Sequence, residues 1–180
     1  MLVAKETAKQ ELIDLYEVLV LDYREAQESA LAHGSQYAYR AYVRSFICLV
    51  EGFSYRLRQL TIEEYEDKKT IMSQSILDEI ISQKDLASLR ETKGFLKIKD
   101  GVSLVTSLQT YALLHGAIFA IEEQNGWDEF KYIIDIRHKL THPKKASDLE
   151  ISVDDLTCLD IAYEWWDRNV ARLLLLVEYI

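Results

Sequence analysis

Apolar residues fall at Leu12, Leu15, Leu19, Tyr23, Ala26 and Ala30, the three-and-four spacing that lines one side of a helix. His33-Gly34-Ser35 ends that helix, and the same pattern resumes at Tyr39, Tyr42, Val43, Phe46, Leu49, Val50, Phe53, Leu57 and Leu60. These two stretches predict long helices joined as an antiparallel hairpin. Further on, Phe130, Ile133, Ile134 and Leu140 mark a helix that opens after Asn125-Gly126 with the acids Asp128 and Glu129, which suit the positive end of the helix dipole. That helix must stop near His142, because Pro143 disfavours helical geometry at the residue before it. Ser152 with Asp155 has capping spacing for a last helix, whose stripe is Leu156, Leu159, Tyr163, Trp166, Val170, Leu173, Leu174 and Val177.

Between the hairpin and the later helices the pattern is less regular. Thr61 with Glu64 and Ser82 with Asp85 also have capping-box spacing, predicting shorter helices within Ile62–Glu91. Phe95–Ile98 and Val102–Val105 flank Lys99-Asp100-Gly101 and fit either a small hairpin or the approach to a helix from about Ser103, the preferred reading. Gly101–Ile121 lacks any acid, Lys or Arg. Its Ser103, Thr106, Ser107, Gln109, Thr110 and His115 make it too polar for a membrane span, so it reads as a central bundle helix closed by Asn125-Gly126.

Composition narrows the class. The chain has 180 residues, 49% of them hydrophobic, with only six Gly and one Pro, too few turn signals for a many-stranded fold. The expectation is an all-α single domain over residues 1–180, a bundle of four to six helices. Cys48 and Cys158 sit in apolar helical patterns and read as buried free thiols rather than a disulfide framework. The opening MLVAKETAKQELI has no apolar core or cleavage site of a secretory signal, so the expected address is the cytoplasm.

Charge sets up the chemistry. With 21 Lys+Arg against 30 Asp+Glu the net charge is −9, which argues against coating long nucleic acid through bulk electrostatics. Ile136 to Ser147 departs from this acidity, holding Arg137, Lys139, Lys144 and Lys145, two His and no acid. Glycine-rich phosphate loops, G-x-S-x-G, H-E-x-x-H and C-x-x-C are all missing. Within the basic stretch, Arg137 lies four residues past Ile133 and three past Ile134, a slot where the stripe wants an apolar side chain. A guanidinium there is costly to bury unless it meets a carboxylate, a phosphate or a wet groove. Arg137 and His142 stand roughly 140° apart on a regular helix, and Pro143 is expected to push His142 off it so that the imidazole can swing back. A permanent cation beside a neutral-pH acid/base suits phosphodiester cleavage.

At Arg137-His138-Lys139-Leu140-Thr141-His142 the sequence resembles the HEPN superfamily, all-helical domains marked by R-x4-6-H, often with a polar residue directly after the Arg. The resemblance implies a metal-independent, cofactor-free endoribonuclease of the toxin–antitoxin or antiphage-defence kind, often a homodimer with two motifs at its interface. It gives Arg137 the scissile phosphate, His142 the acid/base role on the ribose 2′-OH or the leaving 5′-oxygen, and His138 an auxiliary place. Lys139, Lys144 and Lys145 would contact RNA, single-stranded or in loops. From a different class comes a non-catalytic helical module, the partner of a nucleotidyltransferase-like antitoxin or a regulator of a defence complex.

Each residue also has a plainer reading. Arg137 can snorkel or pair with an acid on a neighbouring helix, Glu51 beside Cys48 and Tyr55 being one choice. His142 can cap helix carbonyls, and His138 with His142 can share a metal, though no third ligand stands at fixed spacing. Lys144 and Lys145 fit a solvated loop. His115 fits a satisfied core histidine and His33 a helix end. Trp165, Trp166 and the many Tyr fit packing better than base stacking.

Overall fold

The computed structural model describes residues 2–68, 102–121 and 124–178. Among them the fold is all-helical, with five helices and no strand. Helices α1 (Leu2–His33) and α2 (Gln36–Lys68) form the expected hairpin. Its turn is made by Gly34 at φ 59°, whose N–H donates to the Ala30 carbonyl, and by Ser35, whose Oγ accepts the Ala38 N–H at 3.2 Å. At about 1.5 Å per residue each arm is ~50 Å long. Helix α1 is rich in Ala, Leu, Glu, Gln and Lys, which favour helix, and packing of the apolar stripes holds both arms.

Helix α2 is central and touches every other helix. Tyr42, Val43, Phe46, Leu49, Val50, Phe53, Leu57 and Leu60 are all buried on it. Against it pack α3 (Val102–Leu114), α4 (Trp127–Thr141) and α5 (Val153–Glu178). Trp165 and Trp166 are fully buried. Trp166 stacks on Phe130 at 5.8 Å and meets Phe53 edge-on at 6.2 Å, so these indoles are packing, as their phase suggested. Where α4 enters this aromatic layer, its N-cap Gly126 has φ 126° and an added Cβ would lie 2.4 Å from the Trp165 Cβ. Only glycine satisfies both the backbone and the approach.

Three expectations are corrected. Helix α3 begins at Val102 but ends at Leu114, well short of Asn125-Gly126. Gly116, at φ 74°, donates its N–H to the Leu113 carbonyl while Ala117 donates to Ala112 at 3.0 Å, the paired bonds of a left-handed helix stop. The chain beyond stays buried at Ala117 and Phe119 without being helical. Thr61 and Glu64 start no new helix: α2 runs through them, Thr61 donating its hydroxyl to the Leu57 carbonyl and Glu64 accepting from Tyr111 across the bundle. The cysteines are free, but Cys48 is exposed and Cys158 half-buried, because their helix positions face the rim. The Ser82–Asp85 cap and residues 95–101 lie outside the described residues. Among the described residues no helix is long and apolar enough to cross a membrane.

Candidate active site

Helix α4 presents Phe130, Ile133, Ile134, Ile136 and Leu140 to the core. Arg137 sits on the same side, its side chain 25% exposed, and its Nη2 lies 3.0 Å from Oε1 of Glu51 on α2. The out-of-phase cation therefore meets a carboxylate out of phase on the facing helix, and each ion offsets the desolvation of the other. Cys48 and Tyr55, one turn either side of Glu51, are exposed. Partial desolvation raises the Cys48 thiol pKa, and the charges of Glu51 and Asp22 add to it. The thiol is thereby kept from being a ready nucleophile.

The end of α4 is ordered by its own last turn. Thr141 donates its hydroxyl to the Arg137 carbonyl at 2.8 Å, and the His142 N–H donates to the His138 carbonyl at 3.0 Å. That second bond keeps the His142 Cα in helical register. The chain leaves the helix only at His142 itself, with φ −130° and ψ 60°, as Pro143 requires. His142 is exposed and shares the i, i+4 face of His138, while Arg137 points to α2. The expected return of His142 toward Arg137 is therefore corrected: the structure joins Arg137 to Glu51, and His138 to His142 by face, with His138 roughly 100° and His142 roughly 140° from Arg137 around α4.

The loop after His142 is held by carboxylates. Asp148 Oδ2 accepts the N–H groups of Lys144 at 2.8 Å and Lys145 at 3.2 Å, folding the chain into a 3₁₀ turn at Ala146–Leu149. The Lys144 N–H, followed by that of Lys145 and the charges of Lys145 and Lys139, holds the Asp148 carboxyl below its ordinary pKa. Gln36 then exchanges two hydrogen bonds with the Ile151 backbone at 2.8 and 2.9 Å, and Arg40 donates to the Leu149 carbonyl at 3.0 Å. Ser152 and Asp155 form the expected box at the start of α5. The loop is therefore pinned at its base while Lys139, Lys144 and Lys145 remain exposed beside His142.

One link escaped the sequence reading. Tyr132 of α4 donates its hydroxyl to Asp155 Oδ1, stapling the motif helix to α5. This bond, more than burial, pushes the Tyr132 phenol up to about 12. Asp155 titrates lower than usual: burial works to raise it, but the bonds from Tyr132 and Ser152 outweigh that. The capping spacing betrays Asp155, but nothing in the sequence says that a tyrosine of another helix shares it. Elsewhere His115 Nε2 is 3.0 Å from Glu64 Oε2, and His33 Nδ1 lies 2.9 Å from the Ser29 carbonyl oxygen at the end of α1. Among the described residues no cluster of three or more His, Cys, Asp or Glu could hold a metal ion. No family model matches the chain, and comparisons with curated proteins and with solved structures return no match.

Proposed function

We propose that the chain is a metal-independent endoribonuclease of the HEPN type, acting in the cytoplasm as a homodimer in a toxin–antitoxin or antiphage-defence setting. The observation that carries this reading is the placement of Arg137: a permanent cation on the core side of a helix whose end presents His138, His142 and three exposed lysines. In the reaction, Arg137 binds the scissile phosphate and stabilises its growing negative charge. His142 takes the proton of the ribose 2′-OH or delivers one to the leaving 5′-oxygen. The 2′-oxygen bonds to phosphorus as the P–O5′ bond breaks, leaving a 2′,3′-cyclic phosphate and a free 5′-OH. His138 assists, and Lys139, Lys144 and Lys145 track neighbouring phosphates. The angular separation of Arg137 from His142 favours a site shared by two copies, which also doubles the local cations.

A ribonuclease assay of the wild type beside His142→Ala tests the reading, with cleavage expected only in the former. Excess EDTA should leave cleavage intact, and light scattering should give twice the 20.9 kDa of one chain. EDTA inhibition or 5′-phosphate products would overturn the mechanism. The second reading, a non-catalytic partner of a nucleotidyltransferase-like antitoxin or a regulator of a defence complex, is favoured by one fact: Glu51 already neutralises Arg137. Failure of the wild type to cleave any tested RNA would decide for it.

A further inference from the structure

The strongest carboxylate–arginine pairs make two parallel N–H···O bonds along the guanidinium fork. Glu51 does not. Its Oε1 is 3.0 Å from Arg137 Nη2, yet this oxygen is sealed from water and receives no aligned hydrogen bond. The contact is one oxygen to one nitrogen, off the N–H direction. Among the described residues nothing else pairs with Arg137, so the rest of its fork is uncommitted. The pair also has a way out, since both side chains keep about a quarter to a third of their surface in solvent, 25% for Arg137 and 30% for Glu51.

We propose that the Glu51 carboxylate occupies the anion seat of Arg137 in the empty protein and that an RNA phosphate displaces it, so that Glu51 sets how tightly the site takes RNA. This rests on the reading of Arg137 as the phosphate-binding residue. The exchange follows from geometry. A phosphate offers two oxygens in the plane of the fork and gains aligned, charge-assisted bonds. The departing carboxylate gives up only an unaligned contact and rotates toward water. A seated phosphate then has the Glu51 charge close by, and the like charges oppose each other. Removing that charge frees the seat and lowers the opposition together.

The experiment measures binding without chemistry, using the full chain and a fluorescein-labelled, single-stranded 2′-O-methyl oligonucleotide, whose blocked 2′-oxygens cannot attack. Glu51→Gln, which keeps shape and removes charge, should tighten the Kd about two- to fivefold, the upper part of the range for a partly exposed ion pair. Glu51→Asp keeps the charge and should stay within about twofold of wild type. Arg137→Ala should weaken binding, and adding Glu51→Gln to it should change the Kd by less than about twofold, because no seat remains to be freed. Unchanged or weaker binding by Glu51→Gln overturns the proposal, the weaker result making Glu51 a support for the guanidinium. An equal gain in the Arg137→Ala background also overturns it, since net charge alone would then account for the effect. Wild-type affinity in Arg137→Ala takes down the phosphate-binding reading as well, so the two failures are distinguishable.

Discussion

Asp160 and Glu51 are both carboxylates set among apolar helix faces, and they are treated in opposite ways. Asp160 of α5 accepts the hydroxyl of Tyr42, the amide of Gln27 at 2.8 Å and, more loosely, the hydroxyl of Tyr23 at 3.4 Å. Tyr23 and Tyr42 are buried and share a further bond at 2.6 Å. Burial first, and then the bond to Asp160, raises the Tyr42 phenol far above its usual pKa. The cluster binds α1, α2 and α5 together through directed hydrogen bonds that converge on Asp160 Oδ1. Glu51, in contrast, faces a single cation by charge alone. A polar group whose bonds are complete has nothing left for a ligand, whereas an incomplete one keeps capacity in reserve. The Asp160 cluster is therefore closed to a ligand, and the Arg137 pair is the one left open to it.

The largest effect that can break this contrast is on turnover. His142→Ala and Arg137→Ala should each lower RNA cleavage by ~10²–10⁴-fold, through loss of the positioned acid/base and of charge stabilisation respectively. His138→Ala should cost less, since it transfers no proton. All three should melt within a few degrees of wild type, because none completes a core network. If Arg137→Ala instead unfolds the chain, Arg137 and Asp160 are doing the same kind of work and the contrast fails.

Next in size is the converse experiment. Asp160→Ala removes the acceptor of Tyr42, Gln27 and Tyr23, leaving buried donors unanswered at a cost of about 2–3 kcal/mol. For a chain of 180 residues that lowers Tm by roughly 4–12 °C. Tyr42→Phe should cost nearer ~1 kcal/mol, since Tyr23 and Gln27 still reach the carboxylate. Cleavage per folded molecule should be unchanged in both. A thermal melt beside a cleavage assay decides, and a normal Tm with lost cleavage would move the Asp160 cluster into the site.

The features legible in the sequence are those fixed locally. Gly34, Pro143 and the Ser152–Asp155 spacing act through their own backbone neighbours, and the helices they bound lie where the pattern put them. The end of α3 was not legible, because Ala117, Phe119 and Ile121 carry on an apolar pattern that burial without helix also produces. Thr61 and Glu64 have the spacing of a cap, but the outcome is decided across the bundle, where Tyr111 of α3 and His115 of the turn after it meet Glu64. In the site, the anomaly of Arg137 was visible from phase, and Glu51 could be named as one candidate partner. Which faces of α2 and α4 meet is a property of packing, so the ion pair, the Tyr132 staple and the exposure of Cys48 waited for the structure.

The smallest effect concerns that staple, which differs from both clusters in being exposed yet directed. Tyr132 is 42% exposed, so losing its bond to Asp155 in Tyr132→Phe should cost only about 0.5–1 kcal/mol. Its dependence on pH has two edges. The phenol pKa is raised from 10.0 to about 12 in the folded chain, so its contribution is complete below pH 10 and is lost as pH rises through about 12. The Asp155 carboxyl is lowered from 3.8, so its contribution is complete above about pH 4 and disappears as pH falls through the lower folded value. Buried tyrosines elsewhere make the whole chain sensitive to alkali, so the informative quantity is the difference in Tm between wild type and Tyr132→Phe. That difference should be flat from pH 5 to 9 and shrink toward zero on approaching pH 12. A difference that instead grows with alkali would mean that the phenolate, not the phenol, holds α4 to α5, and the hydroxyl-to-carboxylate staple would be wrong.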